Sequence, residues 1–176
     1  QSAEAATPAQ AEDSGPQADD RRLFALTNHL NEAHELLDAR ERLLLCRLNL
    51  RAAERARGAA AFVAAHENFR LGVERLPASA WQKYPKLAME LFLGQAECAY
   101  LTGHFDEAKQ VLSLLYDSAP SPAERARAYY VAGLFYRHTG DTTSSAYALL
   151  DGLRELGVAV PRTPSAVTVL YELLRT

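Results

Sequence analysis

Three segments of this 176-residue chain repeat one ordered set of small, aromatic and turn residues. Such recurrence constrains a fold more tightly than any single motif, because each repeat must solve the same packing problem. The first segment carries Asn49, Ala53, Ala56, Ala60, Phe62, Ala65, Phe69 and Pro77. In the second, the same places hold Phe92, Ala96, Ala99, Gly103, Phe105, Ala108, Leu112 and Pro120. In the third they hold Tyr129, Gly133, Tyr136, Gly140, Thr142, Ser145, Leu149 and Gly157. Each place has a physical task. Small residues let two helices of a hairpin cross closely, and the aromatic and Leu places fill the space beside them. Gly103 and Gly140 permit a tight turn at positive φ, and Pro77 and Pro120 stop the second helix. The stretch "GHFDEAKQVL", residues 103–112, is therefore a hairpin corner.

Apolar residues recur at helical spacing in eight segments, predicting helices over about 20–37, 39–57, 60–76, 84–102, 105–117, 121–139, 141–156 and 164–175. Asp19 or Asp20 is the expected N-cap of the first, whose stripe is Leu23, Leu26, Leu30, Ala33 and Leu37. Gly- or Pro-containing stretches end the runs, and the short connections make neighbours antiparallel. Val and Thr are sparse and Ile is absent, so the composition is all-α. The expected architecture is about four stacked helical hairpins over residues 20–176. Residues 1–19 offer no large apolar side chain and are expected to form a flexible acidic linker.

The formal charge is −3, but five acids and no Lys or Arg lie in residues 1–20; the remainder carries 19 basic and 17 acidic side chains. That near balance gives no broad basic footprint for nucleic acid. Cys46 and Cys98 sit among apolar helical neighbours without metal or disulfide spacing, which suits reduced core residues of a cytoplasmic protein. Neither a membrane-spanning run nor a signal peptide is legible, so no membrane partner is expected. The first residue is Gln1, and the end at "TVLYELLRT" reads as the start of another hairpin, so the chain is expected to be a fragment.

The eight-place register resembles the 34-residue tetratricopeptide repeat, although no consensus Trp is present, Thr142 and Ser145 replace an aromatic residue and Ala, and the registers lie 43 and 37 residues apart. The order "LFALTNHLNEAHELLD", "LNLRAAERARGAAAFVAAHENFRLGVERLP", "AECAYLTGHFDEAKQVL" and "GLRELGVAVP" also resembles the helical region that follows the ATPase module in large bacterial signal-transduction ATPases. Those include serine/threonine kinases, hybrid sensor histidine kinases and LuxR-type regulators. The resemblance implies a right-handed repeat stack serving as a regulatory and interaction region, without activity of its own. No phosphate loop, kinase Gly-rich loop, "HRD" or "DFG" is present.

Residues with chemical potential have plainer readings. His29 and His34 are separated by about 140° around a helix, which does not make a shared metal site. His66, His104 and His138 fall on separate hairpins in this register, and "DTTSSAY" suits a helix cap and packing positions better than a nucleophile. Glu54, Glu90 and Glu97 could be imagined as an acid/base set, and Arg47, Arg51, Arg55 and Arg57 as a phosphate site; solvated helix faces account for both. No cofactor, metal or catalytic residue is assigned.

The informative surface is the one lined by first helices. Places two, five, nine and twelve of a tetratricopeptide repeat face its concave groove. Here they are Arg47, Leu50, Glu54 and Arg57; Glu90, Leu93, Glu97 and Tyr100; and Arg127, Tyr130, Leu134 and Arg137. Arg and Tyr combine apolar area with directional hydrogen bonds and suit a protein or peptide partner, which includes neighbouring domains of the same chain. Leu50, Leu93 and Leu134 have an equal claim to be packing residues. The expected function is a noncatalytic interaction or regulatory module of a larger signalling protein. A small-molecule sensor is the first rival, to be recognised by an apolar pocket with convergent polar groups, and an all-α enzyme is the second.

Overall fold

The computed structural model of the protein describes residues 16–158 and 160–161. Eight α-helices occupy the described residues: α1 Pro16–Glu32, α2 Ala39–Gly58, α3 Phe62–Glu74, α4 Ala80–Lys83, α5 Pro85–Leu101, α6 Phe105–Ser118, α7 Pro122–His138 and α8 Thr142–Glu155. The fold is all-α. The expected helix over 164–175 and most of the expected linker lie outside the described residues.

Local chemistry accounts for most boundaries. Asp38 caps α2 through a reciprocal box: its carboxylate accepts from the Arg40 and Glu41 amides at 2.7 and 2.8 Å, and Glu41 accepts from the Asp38 amide at 2.9 Å. Ser121 and Pro122 start α7, with the Ser121 hydroxyl accepting from the Glu124 amide. Asp141 does the same for α8 through the Ser144 amide at 2.9 Å, so the "DTTSSAY" stretch is indeed a cap. The turns after α5 and α7 place Gly103 and Gly140 at φ 86° and 84°; the equivalent place after α2 holds Ala60 at φ 57°.

Two boundary expectations are corrected. The first helix begins at Pro16 and ends at Glu32, followed by a 3₁₀ turn over His34–Leu36, so Asp19 and Asp20 lie inside it and not at its N-cap. Its buried stripe is Ala18, Thr27 and Asn31, whereas Leu26 is half exposed. The cause lies across the helix pair. Asn49 of α2 is fully buried and exchanges amide hydrogen bonds with Asn31 at 2.9 and 3.1 Å, so α1 turns its polar residues inward. The second correction is α4, a single turn inserted between α3 and α5. It packs on α5 and stacks Trp81 on Phe92 with centroids 5.4 Å apart, and it explains why the first two registers are farther apart than the last two.

Helix contacts follow the hairpin order. α2 pairs with α3, α5 with α6 and α7 with α8; each first helix also lies against both helices of the preceding hairpin, α5 on α2 and α3, α7 on α5 and α6. The small register places are all at these crossings and all buried: Ala53, Ala56 and Ala65, Ala96, Ala99 and Ala108, Gly133 and Ser145. Where the third hairpin departs from Ala, it compensates, because the Ser145 hydroxyl donates to the Gly133 carbonyl at 2.8 Å. Two core clusters result. One gathers Cys46, Ala53, Phe69, Leu91 and Cys98; the other gathers Met89, Ala96, Leu112, Leu115, Val131 and Phe135. Cys46 and Cys98 are unpaired and buried, and burial pushes their thiols up to about 11 and about 12. No helix among the described residues is long and apolar enough to cross a membrane.

Candidate functional site

The first helices α2, α5 and α7 lie side by side, and the register's twelve residues divide among linking these helices, packing in the core and facing solvent. Two ion pairs join these first helices to one another. Arg57 of α2 donates to Glu97 of α5 at 2.6 Å while its guanidinium lies 5.7 Å from the Phe69 ring centroid. Arg127 of α7 grips Glu90 of α5 with both terminal nitrogens, at 2.8 and 3.0 Å, and this fork holds the guanidinium above its ordinary pKa. Four of the twelve residues are therefore paired across first helices.

Three more of the twelve meet at the far end. Tyr100, Leu134 and Arg137 line a cleft of about 300 Å³ together with Leu101 and His138. The Tyr100 ring tilts against Phe135 and His138, with centroids 6.1 and 5.7 Å away. Burial, helped by the nearby Glu97 charge, pushes its hydroxyl up to about 12, so it stays a neutral hydrogen-bonding group. Arg137 is exposed at the rim and makes no ion pair among the described residues. An apolar floor beside a solvated guanidinium can accept an apolar side chain next to an acid.

The remaining residues sit apart from this constellation. Leu93 is buried in the larger core cluster and Leu50 is half-buried against the smaller one; with Leu134 of the cleft, itself half-buried against the larger cluster, all three Leu residues pack. Glu54 is exposed on α2. Arg47 lines a cleft along the start of α2 with Asp38, Leu43 and Leu44. Tyr130 is 58% exposed and lines an apolar groove between α7 and α8. Arg55 reaches Asp20 of α1 at 3.4 Å.

Sequence reading missed one polar assembly. His66 of α3 and His104 at the α5–α6 corner stack with centroids 4.9 Å apart, although the register assigns them to separate hairpins. His66 Nε2 and Gln95 Nε2 both contact Glu107 Oε1, at 2.9 and 2.8 Å. Burial alone would raise the Glu107 pKa, but the bonds from Gln95 and His66 outweigh it and hold the carboxyl below its usual range. The spacing of 41 residues between His66 and Glu107 carries no local signal. Among the described residues, no group of three or more His, Cys, Asp or Glu is placed to hold a metal ion.

Fold and surface together define an all-α protein of successive helical hairpins whose first helices share one charged face. Comparison with protein-family models, with curated proteins and with solved structures finds no match.

Proposed function

We propose that this chain is a noncatalytic interaction module, a tetratricopeptide-like, right-handed stack that binds a peptide segment or a neighbouring domain through its first-helix face. The observation that carries this reading is the cleft of Tyr100, Leu134 and Arg137 at the end of a face on which Arg57 is already paired to Glu97 and Arg127 to Glu90. A paired surface is held in shape before a partner arrives, which lowers the ordering cost of binding. The solvated Arg137 and the apolar floor beside it suit a segment that sets an acid next to an apolar anchor. The order of hairpin contacts and the buried small residues support the repeat reading. The resemblance to signal-transduction ATPases supports a place in a larger, cytoplasmic signalling protein, where such a face would read the state of an adjoining domain.

The test is selection of displayed random peptides on the wild-type chain, followed by titration against Arg137→Glu. Selected peptides should carry an acidic residue beside a large apolar one and bind the variant at least tenfold more weakly, with its thermal melt unchanged. Peptides without that pattern, or with equal affinity for both proteins, would reject this face as the binding surface.

A further inference from the structure

A cleft of about 410 Å³ opens where the 3₁₀ turn, the start of α2 and the end of α3 meet, with His34, Arg42, Leu43, Glu74, Arg75 and Leu76 among its walls. That volume is within the range of small-molecule sites. The cleft lies at the end of α2 far from Arg55, where Asp20 of α1 approaches. None of Arg47, Arg51, Arg55 and Arg57, the arginines that spacing alone put forward for phosphate, lines it.

The charge here is unbalanced. Arg75 caps the C-terminus of α3, and its side chain is only 13% exposed. A guanidinium so placed needs acceptors for its five N–H groups. Its Nη1 donates to Glu74 Oε2 at 3.0 Å, whereas its buried Nε has no partner. The negative end of the α3 dipole eases the charge without satisfying Nε. Glu74 is itself shared, because its other oxygen accepts from Arg70, which also holds Glu67. Arg42 is exposed and makes no ion pair among the described residues. Three arginines, Arg42, Arg70 and Arg75, are thus set against two carboxylates. The acids at the start of α2 do not restore the balance: Asp38 and Glu41 accept from capping amides and line a different cleft. His34 is tied through Nδ1 to the Asn31 carbonyl at 2.8 Å, which fixes its ring as a side wall, and Leu43 and Leu76 supply apolar surface.

We propose that this cleft binds a small organic anion, with a carboxylate or phosphate head between Arg42 and Arg75 and an apolar body against Leu43 and Leu76. Such a head carries the paired acceptors that a guanidinium fork needs. It replaces Glu74 as the partner of Arg75 and, as the guanidinium turns toward the cleft, supplies the acceptor that Nε lacks. Glu74 keeps its bond to Arg70, and the head neutralises Arg42. The site is independent of the first-helix face and of what that face binds.

Isothermal titration of the full chain with hexanoate and hexyl phosphate, beside hexylamine and hexanol, tests the proposal. At least one anion should bind, the amine and the alcohol should not, and the tighter anion identifies the head. Arg42→Ala and Arg75→Met should each weaken binding by about tenfold or more, the loss of a charge-assisted bond, whereas Arg51→Ala on the exposed face of α2 should leave it unchanged. Should Arg75→Met fail to fold, the exposed Arg42→Ala still decides. In a nitrogen–proton correlation spectrum, the Arg75 Nε–H signal should shift as the anion saturates. No binding of either anion, hexanol binding as tightly as hexanoate, or equal losses in Arg51→Ala and Arg42→Ala overturns the site.

Discussion

At the residue scale, the turn places and the crossing places make opposite demands. Ala60 occupies a left-handed conformation at φ 57° where its counterparts are Gly103 and Gly140. That conformation costs an L-residue about 1–2 kcal/mol, partly offset because Ala loses less backbone freedom than Gly on folding. Ala60→Gly should therefore stabilise the protein by about 0.5–1 kcal/mol, measured as a higher midpoint in urea; a lower midpoint would contradict the strain. At the crossings, the size of the neighbour decides. A Cβ on Gly94 would lie 2.2–2.7 Å from the ring of the buried Phe69, while one on Gly133 would meet the half-exposed Leu149 side chain at 2.8 Å. Gly94→Ala should cost about 1–3 kcal/mol and Gly133→Ala distinctly less, because only Leu149 has room to swing away. The larger Gly133→Leu and Ala108→Leu replacements should both destabilise the fold in the same titration.

At the scale of elements, the Glu107 assembly ties α3, α5 and α6 together through His66 and Gln95. Because the Glu107 carboxyl is held below its ordinary pKa in the folded chain, the unfolded chain binds the proton more readily across that interval. Stability contributed by this group is thus fully present above the unfolded carboxyl pKa, about 4.3, and is lost as pH falls through the lower folded value. Glu107→Gln should lower stability at pH 7 and flatten the acid limb of a Tm-against-pH curve; an unchanged slope below pH 4.5 would show that the bonds carry no linkage. The helices themselves were legible from caps, Gly turns and apolar period, all of which act within a few residues. Helix α1 was misplaced because its inward face is set by Asn49 of α2, a partner 18 residues away from Asn31. The single turn α4 was missed because four residues carry too little period to read.

For the whole molecule, apolar interfaces between hairpins outweigh the ion pairs that decorate them. The Arg127–Glu90 pair is nearly half exposed on both sides, so Arg127→Ala should cost only about 0.2–1 kcal/mol despite its bidentate geometry. Phe69 is fully buried where α3 meets α5, and Phe69→Ala should cost about 3–5 kcal/mol. Urea titration of the two variants checks the ranking, and equal losses would mean that the first-helix charges hold the hairpins together. On the proposed binding surface the order should reverse, since a solvated Arg137 contributes little to folding and most to a contact with an acid.

What the sequence by itself determined is the all-α class, the hairpin corners and the set of small residues on which helices cross. Those follow from hydrogen bonds four residues apart, from caps, and from volumes that repeat in register. The tertiary structure alone decided which charges meet. Arg57 and Glu97 are 40 residues apart, Glu90 and Arg127 37 apart, and whether such pairs touch depends on the rotation of one hairpin against the next. Between the first two hairpins that rotation is limited by Phe69 against Gly94 and Leu91 against Gly72, contacts that no local pattern encodes. The twelve surface positions were therefore readable as a list, while their division into paired, buried and solvated members arose only when the helices packed.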